Sequence, residues 1–358
     1  MKMKKKARII TFHCVPNYGA VLQAYALSTV LKKYFDDVKI IDYRPLILLD
    51  EYAVINTFSA KSILYSLFSA RQFKKKLNKF QSFRDKYLDL TNQLDAVSDS
   101  NCDGEDVFLG SDQIWNANIT GGLDEVYFGI LKNVHFDRCI SYAASVGKST
   151  LTELEQNMMK KYLENIDCIS VRENEAKELL ADYTSKTIEV VLDPTLLLTK
   201  NEWEKLVVHT KKIKYVLFYS LNGYDEAEIL AKKTARYFNL PLIEISGGRK
   251  SLIKKNHEVI YTAGPIELIS LIHDADFVVT DSFHGTVFSI LFERSFVTFP
   301  HKTRGGRIKN ILDKTNLNRR LTTCFNKTIV NEKIDWVSVN ERLIAERNNS
   351  IKFIEQSL

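Results

Sequence analysis

The sequence predicts an α/β protein of two domains, each built on a parallel sheet. Three observations carry that reading. Apolar runs of strand length alternate with segments whose apolar residues recur at helical spacing, from about Ala7 to Asn316. Pro194 in VVLDPTLLL stops a strand near mid-chain, and a new set of elements begins after it. At 358 residues, the chain is longer than a single hydrophobic core usually serves.

The elements follow in order. ARIITFH reads as a strand, CVPNYGA as a loop, and VLQAYALSTVLKKYF as a helix with Val21, Leu22, Tyr25, Leu27 and Leu31 at helical spacing. VKIIDYRP is a second strand closed by proline, which completes a β-α-β unit and implies parallel pairing. Residues 46 to about 90 interrupt the rhythm with the basic helix FKKKLNKFQSFRDKYL, read as a solvated face with membrane or acceptor contact as the alternative. The rhythm resumes with the strand DVFLG, the loop SDQIWN, the strand CISYAAS, a helix over 151–164, the strand CISVR and the helix ENEAKELLADY. Beyond the crossing near 185–195 come the strand KYVLFYSL, the helix DEAEILAKKTARYF and the strand LPLIEIS. The helix PIELISLIHDA, with proline in its first turn, is followed by the strand DFVVT, the helix GTVFSILFE, the strand SFVTF and the helix RIKNILDKTN.

Composition narrows the class. Hydrophobic residues are 45% and charged residues 26%, as in ordinary globular proteins. The net charge of +6 is too small to indicate nucleic-acid binding, and suits an anionic small substrate or an anionic membrane surface. Cys14, Cys102, Cys139, Cys168 and Cys324 form no Cys-x-x-Cys pair and are odd in number, so reduced cytoplasmic thiols are expected, with no disulfide framework and no zinc site. MKMKKKARII starts like a signal peptide, but Thr11, His13 and Pro16 interrupt the apolar core one would need. Its lysines read as a solvated tail, with weak contact at the inner face of the membrane as the alternative. There is no internal repeat and no Walker or Rossmann glycine fingerprint. SGGRK at 246–250 reads as a glycine turn beside cations, with a phosphate contact as the alternative.

In open parallel sheets, ligands sit beyond the carboxyl ends of the strands, so the loops after strands hold the candidate chemistry. Asn17 in PNYGA either caps the following helix or binds a substrate hydroxyl, and Gly19 lets the chain turn there. Asp112 in GSDQIWN either caps or accepts a hydroxyl proton, and Trp115 is either core or a stacking face for a sugar. Arg172 either pairs with a carboxylate such as Glu173 or Glu175 or binds an anion through its planar fork. His284, after DFVVT and beside Gly285, is either packed or a proton donor and phosphate contact. The next post-strand loop, PHKTRGGR, carries His301, Lys302, Arg304 and Arg307. One short β-α-β unit should bring it beside the His284 loop as a phosphate or carboxylate pocket. No metal-ligand cluster is visible.

These segments resemble the polysaccharide pyruvyl transferase family. The resemblance runs from ITFHCVPNYGAVLQAYAL through IIDYRP, FLGSDQIWN, SYAASVG, ISVRE, VVLDPTLLL and ADFVVTDSFHGTVFSILFERSFV to GGRIKNIL, roughly residues 8 to 320. It implies two Rossmann-like domains facing across a cleft, as in the GT-B glycosyltransferases. The expected division is 1–190 on the acceptor side, 191–335 on the donor side and a helical tail over 336–358. It also implies phosphoenolpyruvate as donor and co-substrate, with no further cofactor and no metal. The implied acceptor is a sugar of a surface glycan or its lipid-linked precursor, and the implied product is a pyruvate ketal formed with release of phosphate. The S-x-R arginine, the histidine before glycine and a basic residue some 20 positions later match Arg172, His284 and the Arg304–Arg307 loop. Where better-studied members read R-L-H-G, this chain reads Ser282-Phe283-His284-Gly285, so Arg304 or Arg307 is expected to supply the missing charge. The expected roles are His284 as acid and phosphate contact, Arg172, Arg304 and Arg307 as anion holders, and Asp112 as base. Asn17, Tyr18, Trp115 and Asn116 are expected on the acceptor side. Two competing readings are a nucleotide-sugar glycosyltransferase of the same fold type and a non-catalytic glycan-binding subunit.

Overall fold

The computed structural model describes residues 5–51, 63–94, 102, 104–209, 211, 213–221, 223–246, 255–300 and 305–358. Its chain forms two compact units. One comprises Met1–Ala53, Arg84–Leu198 and Ala345–Leu358, and the other Val54–Phe83 and Thr199–Ile344. Two long helices, Ile63–Tyr87 and Trp336–Ser357, each contribute residues to both units.

The first unit contains β1 (Lys6–Ile10), α1 (Tyr18–Leu31), β2 (Asp37–Tyr43), α2 (Leu46–Glu51) and the end of α3 (Ile63–Tyr87). Next come β3 (Leu90–Leu94), β4 (Asp106–Leu109), α4 (Ala117–Thr120), β5 (Arg138–Ala144), α5 (Glu153–Leu163), β6 (Cys168–Val171), α6 (Asn174–Leu180) and β7 (Ile188–Val190). The strands pair in the order β3-β2-β1-β4-β5-β6-β7, every pair parallel. β1, β4 and β6 are almost continuously buried and read as unbroken apolar runs, as strands covered on both faces must. Two 3-10 turns, Glu125–Phe128 and Pro194–Leu196, close loops of this unit.

The second unit holds α7 (Lys200–Glu204), β8 (Val216–Ser220), α8 (Asp225–Phe238), β9 (Leu242–Ser246), β10 (Glu258–Ile260) and α9 (Pro265–Asp274). It continues with β11 (Phe277–Thr280), α10 (Phe283–Leu291), β12 (Ser295–Thr298), α11 (Gly306–Thr315), α12 (Lys327–Asn331) and the start of α13 (Trp336–Ser357), whose larger part belongs to the first unit. The sheet order is β10-β9-β8-β11-β12, again all parallel. The α/β class and two parallel-sheet, Rossmann-like units expected from the sequence are therefore present.

The C-terminal tail is a helix whose last turns serve the first unit. Ser350 Oγ accepts the Leu192 N–H at 2.9 Å, Arg347 Nε donates to the Leu196 carbonyl at 2.8 Å, and Phe353 lies 6.3 Å from the Tyr142 ring. These contacts satisfy backbone groups just after β7, where the strand has ended and no ladder partner remains. Among the described residues, no helix is long and apolar enough to cross a membrane.

Candidate functional site

Each sheet has one place where the winding reverses, and there the loops after two neighbouring strands separate to leave a crevice. In the first unit it lies between β1 and β4, and in the second between β8 and β11. The loops singled out from the sequence follow these strands: HCVPNYGA after β1, GSDQIWN after β4 and TDSFHG after β11.

At the second unit's reversal, Asp281 joins the two strand ends. Its carboxylate accepts Ser220 Oγ–H at 2.7 Å and Leu221 N–H at 2.7 Å, and Ser220 Oγ in turn accepts Gly223 N–H at 3.0 Å. Ser282 caps α10, its hydroxyl accepting Gly285 N–H at 3.3 Å. The helix thus begins at Phe283, two residues earlier than the sequence suggested, and His284 sits in its first turn. The capping hydroxyl occupies the position where R-L-H-G members carry arginine. Gly285 has a steric reason: a Cβ there would stand 2.3 Å from Thr280 Oγ1 and 3.0 Å from Tyr219 Cδ1, so only glycine lets α10 approach the sheet this closely. Thr286 Oγ1 ties the helix to the Ser282 carbonyl at 3.1 Å and to Thr298 Oγ1 on β12 at 3.1 Å.

His284 is 7% exposed and packs edge-on against Phe283, ring centroids 5.0 Å apart. Arg307, in the first turn of α11, places its guanidinium 5.8 Å from the Phe283 ring centroid. The segments after β11 and β12 therefore meet at Phe283, whose ring contacts both an imidazole and a guanidinium. Arg304, His301 and Lys302 lie outside the described residues, as does most of SGGRK.

The first unit's open edge is organised differently. Arg172, at the end of β6, is 3% exposed and faces three carboxylates: Asp193 at 2.7 Å, Asp112 at 3.7 Å and Glu173 at 3.8 Å. Burial alone would lower its pKa, but the three carboxylates outweigh that and hold it above the ordinary guanidinium value. Asp193 also accepts from Ser111 Oγ (3.1 Å), Thr195 Oγ1 (2.6 Å) and Thr195 N (3.0 Å). The pairing alternative weighed for Arg172 is what the structure contains, with Asp193 as the close partner rather than Glu175.

Asp112 accepts Gln113 N–H at 2.8 Å and adopts φ of 79°, in the left-handed region that few non-glycine residues enter. Ala143, on the neighbouring strand end, sits at φ 53°. The Asp112 carbonyl accepts Ser145 N–H at 3.0 Å, which locks the two irregular segments together. Strained backbone of this kind concentrates where a fold positions function.

Asn17 caps α1, its Oδ1 accepting Gly19 N–H at 3.0 Å and Ala20 N–H at 3.3 Å, and Tyr18 is 2% exposed. Two acceptor-side expectations need correction. Trp115 is fully buried: it stacks on Phe128 at 5.2 Å and donates Nε1–H to the Tyr127 carbonyl at 2.9 Å, so it has no open face for a sugar. Asn116 is likewise fully buried, capping α4 through Asn118 N–H and donating to Gln113 Oε1 at 2.7 Å.

One group escaped the sequence reading. His13, fully buried after β1, places Nε2 3.0 Å from Asp42 Oδ1 and Nδ1 3.0 Å from the Thr11 carbonyl. Arg44 adds a two-pronged contact to Asp42 at 2.7 and 2.8 Å. Burial would raise the Asp42 pKa, but the bonds from His13 and Arg44 prevail and lower it to about 2. All three residues lay inside quoted motifs, HCVPNYGA and IIDYRP. What the sequence did not display was that parallel pairing of β1 with β2 sets them side by side.

Residues 17–303 match the family model for polysaccharide pyruvyl transferase. The chain belongs to the polysaccharide pyruvyl transferase family. No curated protein matches it. This family member is also similar to solved structures of low identity. One is UDP-N-acetylglucosamine 2-epimerase from Rickettsia bellii (10% identity, TM-score 0.49, covering 99% of this chain and 96% of that one). A second is the UDP-GlcNAc 2-epimerase of Neisseria meningitidis bound to UDP-GlcNAc (10%, TM-score 0.44, 97% and 100%). A third is E. coli heptosyltransferase WaaC with ADP (12%, TM-score 0.39, 99% and 100%). The nucleotides in those names belong to those proteins.

Proposed function

We propose that this family member transfers the pyruvyl group of phosphoenolpyruvate to a sugar of a cell-surface polysaccharide or its lipid-linked precursor, forming a pyruvate ketal. The observation that supports this is the contact of both His284 and Arg307 with the Phe283 ring at the open end of the second sheet, which suits a proton donor and a cation serving one site. Phosphoenolpyruvate is an enol ester of phosphate. Protonating its methylene carbon from His284 leaves an oxocarbenium-like C2. One sugar hydroxyl attacks C2, the C2–O bond to phosphate breaks with release of inorganic phosphate, and a second hydroxyl closes the ketal. Arg307, with Arg304 from the same segment, holds the phosphate and carboxylate of the donor, and fixed charge of this kind lowers the barrier where negative charge is retained.

Asp112 is proposed as the base that accepts the hydroxyl protons. Arg172, 3.7 Å away, in this account positions Asp112 rather than touching the donor. No cofactor or metal is needed for these steps. The excess of positive charge suits a cytoplasmic enzyme visiting an anionic membrane face where a lipid-linked acceptor resides.

The test follows phosphate release together with ketal formation by mass spectrometry and NMR, using phosphoenolpyruvate and a panel of glycan acceptors. The wild type should form product, and His284→Ala should lose it by about 10²- to 10⁴-fold while remaining folded. Unchanged turnover in His284→Ala would sink the assignment. Glycosyl transfer from a nucleotide sugar without pyruvyl transfer would replace it with the glycosyltransferase reading.

A further inference from the structure

Among the described residues, two groups of metal-ligating side chains lie in the second unit, away from His284, although the sequence showed no cluster: Glu228 with Glu244 and His257, and His209 with His273 and Asp274. The first already has its cation. Lys255 Nζ sits between its carboxylates, 2.8 Å from Glu228 and 2.7 and 2.9 Å from Glu244.

The second group differs. His209 and His273 both aim Nδ1 at the same oxygen, Asp274 Oδ1, at 2.9 and 2.8 Å. Their rings are 5.5 Å apart. His273 Nε2 lies 3.4 Å from Glu204 Oε1, on the far side of its ring. The other carboxylate oxygen, Asp274 Oδ2, is buried and has no hydrogen-bond partner among the described residues. Nor does any described lysine or arginine pair with Asp274 or Glu204.

Held by protons alone, this arrangement is demanding. Both Nδ1 atoms must carry hydrogen to bond Asp274, and His273 must be doubly protonated if it also donates to Glu204. Asp274 is moreover the last residue of α9, where the free carbonyls already concentrate negative charge. A metal ion resolves each point. The two Nδ1 lone pairs and the Asp274 carboxylate become ligands, and the Nε2–H of a neutral His273 donates to Glu204, as the outer nitrogen of a metal-bound histidine commonly does to a carboxylate. Two imidazoles and a carboxylate suit a divalent first-row transition ion, zinc foremost.

We propose that His209, His273 and Asp274 bind such an ion, with Glu204 orienting His273. The site lies where α9 leads into the start of β11, at the opposite end of that strand from His284. Its role is structural: it pins the segment after α7 to α9. His273 also packs edge-on against Phe292, 5.0 Å away, at the end of α10.

The test is calorimetric titration of the chelator-stripped full chain with zinc chloride, alongside thermal unfolding and the visible spectrum of the cobalt-loaded protein. One zinc per chain should bind and raise the melting temperature, and the cobalt spectrum should lack a thiolate charge-transfer band. His209 is 72% exposed, so His209→Ala should fold normally and weaken binding by about tenfold or more. Glu204→Gln should weaken it by about tenfold, and His257→Ala should leave it unchanged. No zinc binding at millimolar concentration would overturn the proposal. Equal affinity in His209→Ala, loss of binding in His257→Ala, or a thiolate band would do the same.

Discussion

The open edges of the two sheets differ in what surrounds their cations. In the first unit the charged groups at the strand ends pair with one another. Arg172 is set among Asp193, Asp112 and Glu173, and Asp42 lies between His13 and Arg44. In the second unit the imidazole of His284 and the guanidinium of Arg307 approach the same aromatic ring, Phe283. The lesson is that a cation at the end of a strand is not in itself an anion site. Its neighbours matter: three carboxylates around Arg172 make it read as architecture, whereas the His284–Arg307 group is the proposed donor site.

The comparison can be broken first at Asp193. Asp193→Ala leaves the buried Arg172 guanidinium without its closest counter-charge, and the first unit should lose about 3–5 kcal/mol, read by chemical denaturation. A loss under 1 kcal/mol would mean that the network is not architectural. Gly285→Ala should cost about 1–3 kcal/mol by pushing α10 off Thr280 and Tyr219, and it should also weaken donor binding because His284 moves with the helix.

Asp42 provides a pH test. Its carboxyl titrates near 2 in the folded chain against an ordinary 3.8, so its contribution is complete above pH about 4 and disappears as pH falls through 2. It should amount to about 2 kcal/mol, seen as an acid-side loss of melting temperature that Asp42→Asn abolishes. The smallest expected effect is at Ser282. Ser282→Ala removes the α10 cap and should cost about 1 kcal/mol. Ser282→Arg should cost a similar amount and add a cation near the donor site, sharpening the contrast with R-L-H-G members.

Much of the fold was legible because strand and helix periods differ and because DFVVT, CISVR and DVFLG are continuous apolar runs that only a doubly covered sheet accommodates. The elements not foreseen were short or weakly apolar. LTNQL joins the first sheet as β3 beside β2, and the three residues of β10 pair with β9. Neither carries a periodic signal long enough to register. At the candidate site, the loops were visible because they follow strands, and one β-α-β step brings Arg307 to the Phe283 ring beside His284. Trp115 and Asn116 were misjudged because position in a loop sequence says nothing of burial, and this loop folds inward over Phe128 and Tyr127. The His13–Asp42–Arg44 group and the His209–His273–Asp274 group join residues 29 or more positions apart, and only strand pairing and helix packing bring them together.

The most direct measurement is the shift in melting temperature on adding phosphoenolpyruvate to the wild type, His284→Ala and Arg307→Ala. A ligand specific for the folded state, at about 100 times its dissociation constant, adds roughly 2.7 kcal/mol. The account predicts a clear rise for the wild type, lost in both variants. An equal rise in all three, or a rise with nucleotide sugars and none with phosphoenolpyruvate, would contradict it.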